Sequence, residues 1–464
     1  MNAWTRRDLL KIAGMGGAAM AAPAWLRAAE TARKPNIILI LADDYGIDGV
    51  GCYGSDTFKT PNIDALARTG LKFDICYSAP LCGPTRCLIN TGRYAFRTGG
   101  LMNGSWAAGG NGAKSKDEFP IAKMLKQAGY ATCSSGKWRQ VGETPGDWGF
   151  DEWLTDPTAG GYYWKNSYTK NGKEIQTDKE IYYPDVAREF ALDFIRRHKD
   201  GPFYLYYPTH LVHGPILRTP DSKQPGAKDG KVFYADNVAY LDKEVGQIVA
   251  EVDRLGIREN TLILFTGDNG TAGQSRTIGG RQINGHKGTM QEGGARVPLI
   301  ASWKGATPEG KVCEDMTDFS DFYATFAELA GANMPTGLTF DGHSFAPQLR
   351  GQAGASREWI YVQLGRNYYV REKNWKLNQA GALFDMKDAP FVEKEVAPGS
   401  EDVQAAAARK RLQAILDKLN PAGGKTAPAG IGGRKKKKGG PAPEAGKAKA
   451  GKAQPGKAKA AAGE

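Results

Sequence analysis

Two oxygen-rich pairs, Asp43-Asp44 and Asp268-Asn269, each follow an apolar run and lie 225 residues apart in this 464-residue chain. Three carboxylates and an amide oxygen brought to one place would repel one another unless a hard divalent cation neutralised them, which points to Ca2+ or Mg2+. Taken singly, either pair is ordinary turn chemistry or a helix cap. Lys137 in SSGKW and Lys287 in HKGTMQEGGARVP sit among glycines and small residues, where the backbone can approach a ligand and an ammonium could hold a tetrahedral anion. A solvated surface lysine is the plain alternative. His213, in THLVHGP, could donate a proton, bind an anion or simply end a strand; His210 and His286 carry no comparable signal individually.

The stretch SAPLCGPTRCLINTGRY, residues 78–94, reads as a tight turn leading into a helix. That puts Cys82 at a helix N-terminus, where the dipole and unpaired N–H groups favour negative charge. A thiolate nucleophile would fit, but no histidine stands near it in sequence, and a hard-oxygen metal site suits thiolate poorly. A packed thiol, half a disulfide and a metal ligand stay open on these grounds. The six cysteines, at 52, 76, 82, 87, 133 and 313, show no CxxC spacing and are too few for a disulfide framework.

These groups need elements to hold them. Asn36 to Ala42 runs into Asp43-Asp44, Pro202 to Tyr207 into His210 and His213, and Thr261 to Phe265 into Asp268-Asn269. Helical patterns lie between, near Pro61 to Thr69, Phe119 to Gln127, Asp185 to His198, Phe233 to Leu255 and Phe322 to Ala330. The alternation predicts an α/β fold, a large mixed sheet sandwiched by helices, with the three polar endings meeting beyond the strands' carboxyl ends. Past Gly351 short strand-like pieces predict a small antiparallel sheet. The aromatic stretch GGYYWKNSYTKNG, residues 160–172, reads as a long surface loop with packed tyrosines, or as the lining of a sugar-binding cleft.

The formal charge is +12, but the segment 421–464 holds eleven Lys/Arg against two Glu, which leaves only +3 for the rest. A nearly neutral globular part argues against nucleic acid as the partner. The tail, built of Lys, Ala, Gly and Pro without aromatics, cannot bury enough apolar surface to order itself and is expected to be disordered. At the other end Arg6-Arg7, then Leu9-Leu10-Lys11 and a Gly/Ala stretch, resembles a twin-arginine export signal over residues 1–29, too short and glycine-rich to span a membrane. Residues 34–350 then read as the catalytic domain and 351–420 as a small α+β subdomain. The expected location is the periplasm or cell envelope, reached through the twin-arginine machinery.

Cys82-x-Pro84-Thr85-Arg86-x-x-x-x-Thr91-Gly92 resembles the sulfatase signature of the alkaline-phosphatase-like superfamily, and LADD, GYATCSSGKW, THLVHGP, FTGDNG and KGTMQEGGARVP follow the family's order. The resemblance runs from about Lys34 to Gly305. It implies that Cys82 is converted to formylglycine by a separate maturation enzyme and that Asp43, Asp44, Asp268 and Asn269 bind Ca2+ with residue 82. It further implies that Arg86 orients that residue, and that Lys137, His213 and Lys287 hold sulfate and stabilise the departing oxygen. One hydroxyl of the hydrated aldehyde would then attack sulfur, and the other would expel sulfate. A sulfated carbohydrate is the expected substrate. Phosphodiester or phosphonate monoester hydrolysis at the same site, or sulfated-glycan binding without catalysis, are the alternatives. The chain departs from the pattern at Arg139, where many members carry a histidine that deprotonates the diol; an arginine cannot serve as that base at neutral pH. Thr85, Cys87 and Asn90 are milder departures.

Overall fold

The computed structural model describes residues 34–104, 112–138, 141–156, 163–227, 230–272 and 276–425. The export signal at 1–29, Arg139, the first part of the aromatic stretch and the tail beyond Lys425 lie outside the described residues.

The strand β1 (Asn36–Ala42) shows why a sheet forms with both faces covered. Its run NIILILA has no polar face, and Ile37, Leu39 and Leu41 enter one core while Ile38, Ile40 and Ala42 enter another. A strand apolar on both faces belongs in a parallel sheet between helices. Nine more strands complete that sheet: β2 (Leu71–Tyr77), β3 (Ala131–Ser135), β4 (Glu152–Thr155), β5 (Trp164–Lys170), β6 (Lys173–Tyr182), β7 (Phe203–Pro208), β8 (Thr261–Gly267), β11 (Leu299–Ser302) and β12 (Lys311–Asp318). A two-residue pair, β9 (Thr277–Ile278) and β10 (Arg281–Gln282), stands apart. The order is β12-β2-β11-β8-β1-β7-β3-β4-β5-β6. From β8 through β4 every pairing is parallel, so these strands end at one edge.

On the face of Leu39 pack the helices α2 (Cys82–Thr91), α3 (Ile121–Gln127) and α6 (Asp321–Ala330), with α7 (Val403–Leu419) farther along the chain. On the face of Ile40 pack α1 (Pro61–Arg68), α4 (Tyr183–His198) and α5 (Gly230–Arg254). The α5 stripe Val238, Leu241, Val245, Ile248 and Val252 is core, as its spacing requires. A second, five-stranded antiparallel sheet follows: β13 (Ile360–Leu364), β14 (Asn367–Glu372), β15 (Trp375–Asn378), β16 (Leu383–Asp385) and β17 (Lys394–Val396). Tyr361, Val370 and Leu377 of this sheet share one core cluster with Leu39 and Leu41, and α7 adds Ala405, Ala408 and Leu412 to it.

Two readings change. Residues 164–170 are a strand paired between β4 and the edge strand β6 rather than a loop, joined to β6 through Asn171-Gly172, both at positive φ. That dipeptide is the two-residue hairpin turn whose backbone matches strand twist. Order also continues into the start of the basic segment: Lys425 donates its N–H to the Phe96 carbonyl at 2.7 Å and its ammonium to that of Thr98 at 3.2 Å. All six cysteines are free thiols. No helix among the described residues is long and apolar enough to cross a membrane.

Candidate active site

Four adjacent parallel strands deliver the polar groups. β1 ends in Asp43 and Asp44, β8 in Asp268 and Asn269, β3 in Gly136-Lys137, and β7 in the turn 209–213. The endings are stitched through main chain: Asp43 N–H to Leu211 O at 2.8 Å, Val212 N–H to Asp43 O at 2.9 Å, Asp268 N–H to Ala42 O at 2.8 Å. Asp44 takes φ 58°, a left-handed conformation that Asp tolerates better than most residues, and its N–H donates to Asp268 Oδ1 at 2.9 Å. Gly136 is obligatory for a related reason. At φ 131° a Cβ there would stand 2.2 Å from the Pro208 carbonyl oxygen, the neighbour that fixes Lys137.

Cys82 reaches the same point from β2. The Thr85 hydroxyl lies 3.0 Å from both the N–H and the carbonyl of Ala79, closing the turn into α2. The Gly83 N–H donates to Asn103 Oδ1 at 2.8 Å, so a side chain from another loop caps this helix. Lys287 is brought in by main-chain bonds from its own N–H to Thr271 O at 3.1 Å and from Gly288 N–H to Pro80 O at 2.8 Å.

Cys82 Sγ, fully buried, lies 3.3 Å from Asp43 Oδ1, 3.6 Å from Asp44 Oδ1, 3.7 Å from Lys137 Nζ and 3.5 Å from Lys287 Nζ. Lys137 donates to Asp43, and Lys287 Nζ is 2.5 Å from Asp44 Oδ1. Arg86 NH2 is 2.8 Å from Asp268 Oδ2, while NH1 donates to the Lys137 carbonyl at 2.8 Å. His213 places Nε2 3.7 Å from Asp44 Oδ2, with Nδ1 donating to the Gly214 carbonyl. Three carboxylates thus face three cations, all buried but Lys287, which is partly exposed.

The titration behaviour follows from that packing. Burial, then Asp268 and Asp43, push the Cys82 thiol well above its ordinary range, so the helix N-terminus does not yield a thiolate. Burial raises Asp43, but Lys137, His213, Arg86 and Lys287 outweigh it and hold its carboxyl well below the usual value. Asp268 is pushed up to about 7 by burial and by Asp43. Burial lowers His213, against the opposing pull of Asp43 and Asp44.

The sulfatase family's sequence model matches residues 35–332. The chain belongs to the sulfatase family. It is 32% identical over 394 residues to N-acetylgalactosamine-6-sulfatase of Canis lupus familiaris, covering 78% of this chain and 72% of the relative. Against arylsulfatase D of Homo sapiens the identity is 28% over 446 residues, with 76% and 74% covered. Among solved structures, Ps i-CgsB in complex with k-i-k-neocarrahexaose superposes with a TM-score of 0.72 at 29% identity, covering 83% of this chain and 93% of that one. As a sulfatase the protein is a sulfuric ester hydrolase.

This sulfatase gathers Asp43, Asp44, Cys82, Arg86, Lys137, His213, Asp268, Asn269 and Lys287 at one sheet edge. His210 and His286 stand apart. His210 is buried with Nε2 3.2 Å from Asp156 Oδ1 and is lowered to about 4 by that burial; His286 is exposed and donates Nδ1–H to the Lys287 carbonyl at 2.9 Å. The sequence reading missed Asn103 as the cap on Gly83. It also missed Tyr163, whose buried hydroxyl donates to the carbonyls of His210 (3.1 Å) and His213 (2.6 Å). Neither has a local signal, since each acts on a segment 20 or more residues away.

Proposed function

We propose that this sulfatase removes sulfate from a sulfated carbohydrate, with formylglycine made from Cys82 by a maturation enzyme and with Ca2+, or Mg2+, beside it. The observation that carries the reading is the position of Cys82 Sγ, within 3.7 Å of two carboxylates and two ammonium groups at once. The carbohydrate half draws support from a relative named N-acetylgalactosamine-6-sulfatase and from Ps i-CgsB, solved in complex with k-i-k-neocarrahexaose.

The residues fit the cation. Asp43, Asp44, Asp268 and Asn269 supply hard oxygen donors, and residue 82 joins them as oxygen once converted. Asn269 directs Nδ2 to Asp44 Oδ1 at 3.0 Å and to the Gly270 carbonyl, and its buried Oδ1 has no hydrogen-bond partner among the described residues. When bound, the cation supplies charge neutralisation at a sulfate oxygen, and the hydrated aldehyde supplies an oxygen nucleophile. The chain's own groups do the rest. Lys137 and Lys287 flank residue 82 and hold sulfate oxygens as charge moves onto them. His213, fixed through Nδ1, lies where it assists the departing oxygen. Arg86 keeps residue 82 and Asp268 in register and stays charged throughout. With three cations already balancing three carboxylates, a divalent ion makes the pocket net positive, which suits an anionic ester.

Export through the twin-arginine machinery to the periplasm or cell envelope is supported by Arg6-Arg7 and the Gly/Ala stretch after them. The deciding experiment is mass spectrometry of the tryptic peptide 73–86 from the native host. Conversion lowers its mass by about 18 Da; an unmodified thiol in active protein overturns the reading. A phosphodiester turned over faster than the sulfate ester of the same alcohol would favour the superfamily's other chemistry.

A further inference from the structure

A cavity of about 300 Å³ lies between the segment 284–291 and the strands β14 and β15. Two chain connections set it at the rim of the catalytic centre. Met290 of its first wall is three residues from Lys287, within roughly 10 Å along the chain, although Lys287 itself does not line the cavity. Its second wall begins at Asn367, just past Gly365, whose N–H donates to Leu101 O at 2.9 Å; Asn103, two residues on, caps Gly83 beside Cys82.

The lining is chemically consistent. Asn284, Gln291, Asn367, Asn378 and Gln379 are all neutral amides. The side chains of Asn284 and Gln291 make no hydrogen bond to the described residues, and the Nδ2 groups of Asn367 and Asn378 make none either. The Tyr369 hydroxyl, on a residue only 1% exposed, has no partner among the described residues. Tyr368 and Phe384 add ring surface. The charge of Lys376 is cancelled by its ion pair with Glu393, and its ammonium lies over the rings of Tyr369 and Phe384 at 4.8 and 5.1 Å. Amides that both donate and accept, beside aromatic faces and without net charge, complement the hydroxyls and apolar face of a sugar ring. With Lys376 paired to Glu393, they present no unbalanced positive charge to a second sulfate or a carboxylate.

We infer that this cavity is a subsite for an uncharged sugar ring neighbouring the sulfated residue of the substrate. The inference rests on the carbohydrate reading above and adds to it the charge of the adjacent ring. It makes the protein an enzyme of oligosaccharides with a neutral sugar beside the sulfated one.

The test uses the full-length protein and saturation-transfer NMR with D-galactose, D-glucose, D-mannose, L-fucose, D-xylose and N-acetyl-D-galactosamine, with D-galacturonate as the charged control. At least one neutral sugar is expected to bind, and Asn284→Ala with Gln291→Ala is expected to weaken it about 10-fold. Because both side chains lack hydrogen-bond partners among the described residues, the double variant should keep its Tm and its rate on 4-nitrophenyl sulfate. Binding by none of the neutral sugars, equal affinity in the variant, or galacturonate binding as tightly as galactose would each overturn the subsite. Sugar binding does not depend on turnover. Failure of the formylglycine reading would therefore appear as intact binding without hydrolysis, and failure of the subsite as hydrolysis of a carbohydrate sulfate without sugar binding.

Discussion

Replacing Lys137 with methionine removes a unit charge 3.7 Å from the Sγ of Cys82 while keeping most of the side chain's length. At an effective dielectric of about 20, an ammonium at that range is worth about 4 kcal/mol to a full negative charge on its neighbour. The transferring group gains only part of a charge on the way to the transition state, so about 3 kcal/mol is the realistic loss, or 10²- to 10³-fold in kcat. The assay is kcat and KM on 4-nitrophenyl sulfate with saturating Ca2+, on protein whose peptide 73–86 is converted to the same extent as wild type. Because Asp43 loses its buried partner in this variant, Tm is followed in parallel to separate misfolding from lost catalysis. Lys287→Met should behave alike from 3.5 Å, and the double variant should fall short of the product of the two losses, since both serve one group. A kcat loss below 10-fold at equal conversion, or a loss confined to KM, would refute the electrostatic argument.

Removing metal with EDTA should lower Tm and adding Ca2+ should restore it, by about 2.7 kcal/mol at a hundredfold excess over Kd; an unmoved Tm would mean that Asn269 Oδ1 is satisfied another way. Glu244, fully buried under the hydroxyls of Tyr207 and Thr209, is raised by that burial to about 8. A carboxyl raised on folding stabilises the fold fully below its unfolded value near 4.5 and loses that contribution as pH rises toward 8. Glu244→Gln should therefore match wild type in unfolding free energy at pH 4 and exceed it at pH 8, by about 3 kcal/mol or more; a pH-independent difference contradicts this. Asn103→Ala strips the cap from Gly83 and should cost about 1 kcal/mol of stability with a few-fold drop in kcat, read by denaturant midpoint and steady-state rates.

Much of the site could be read from the chain because strand ends leave a local trace. An apolar run that stops at Asp43-Asp44 or Asp268-Asn269 marks both the strand and the edge where its cargo lies, and β1 and β8 pair directly as that reading needs. The long helix α5 was equally plain from its stripe. β2 was not, although it delivers Cys82: Lys72 and Asp74 interrupt its apolar pattern on a face only half covered. His210 shows the opposite failure. It lies three residues from His213 and follows the same strand, yet its imidazole turns to Asp156, a partner 54 residues earlier. Which way a side chain leaves a turn depends on what has packed beneath it, here Tyr163 and Tyr183, and no spacing rule carries that information.

The pocket around Cys82 poses two difficulties for a thiol. Sulfur is a soft ligand among hard oxygen donors. Ionising it would add a fourth negative charge to a largely buried cluster where three cations already balance three carboxylates, and its pKa is pushed far up accordingly. Lys137 and Lys287, each paired with a carboxylate, also hold their ammonium groups within 3.7 Å of Sγ, where an anion on residue 82's substrate would be met. Exchanging the sulfur for oxygen at the same position removes both at once: the donor becomes hard, and the nucleophile no longer has to be a thiolate. That is the physical reason for proposing conversion of Cys82, and it depends on the surroundings of residue 82 rather than on the cysteine's own reactivity.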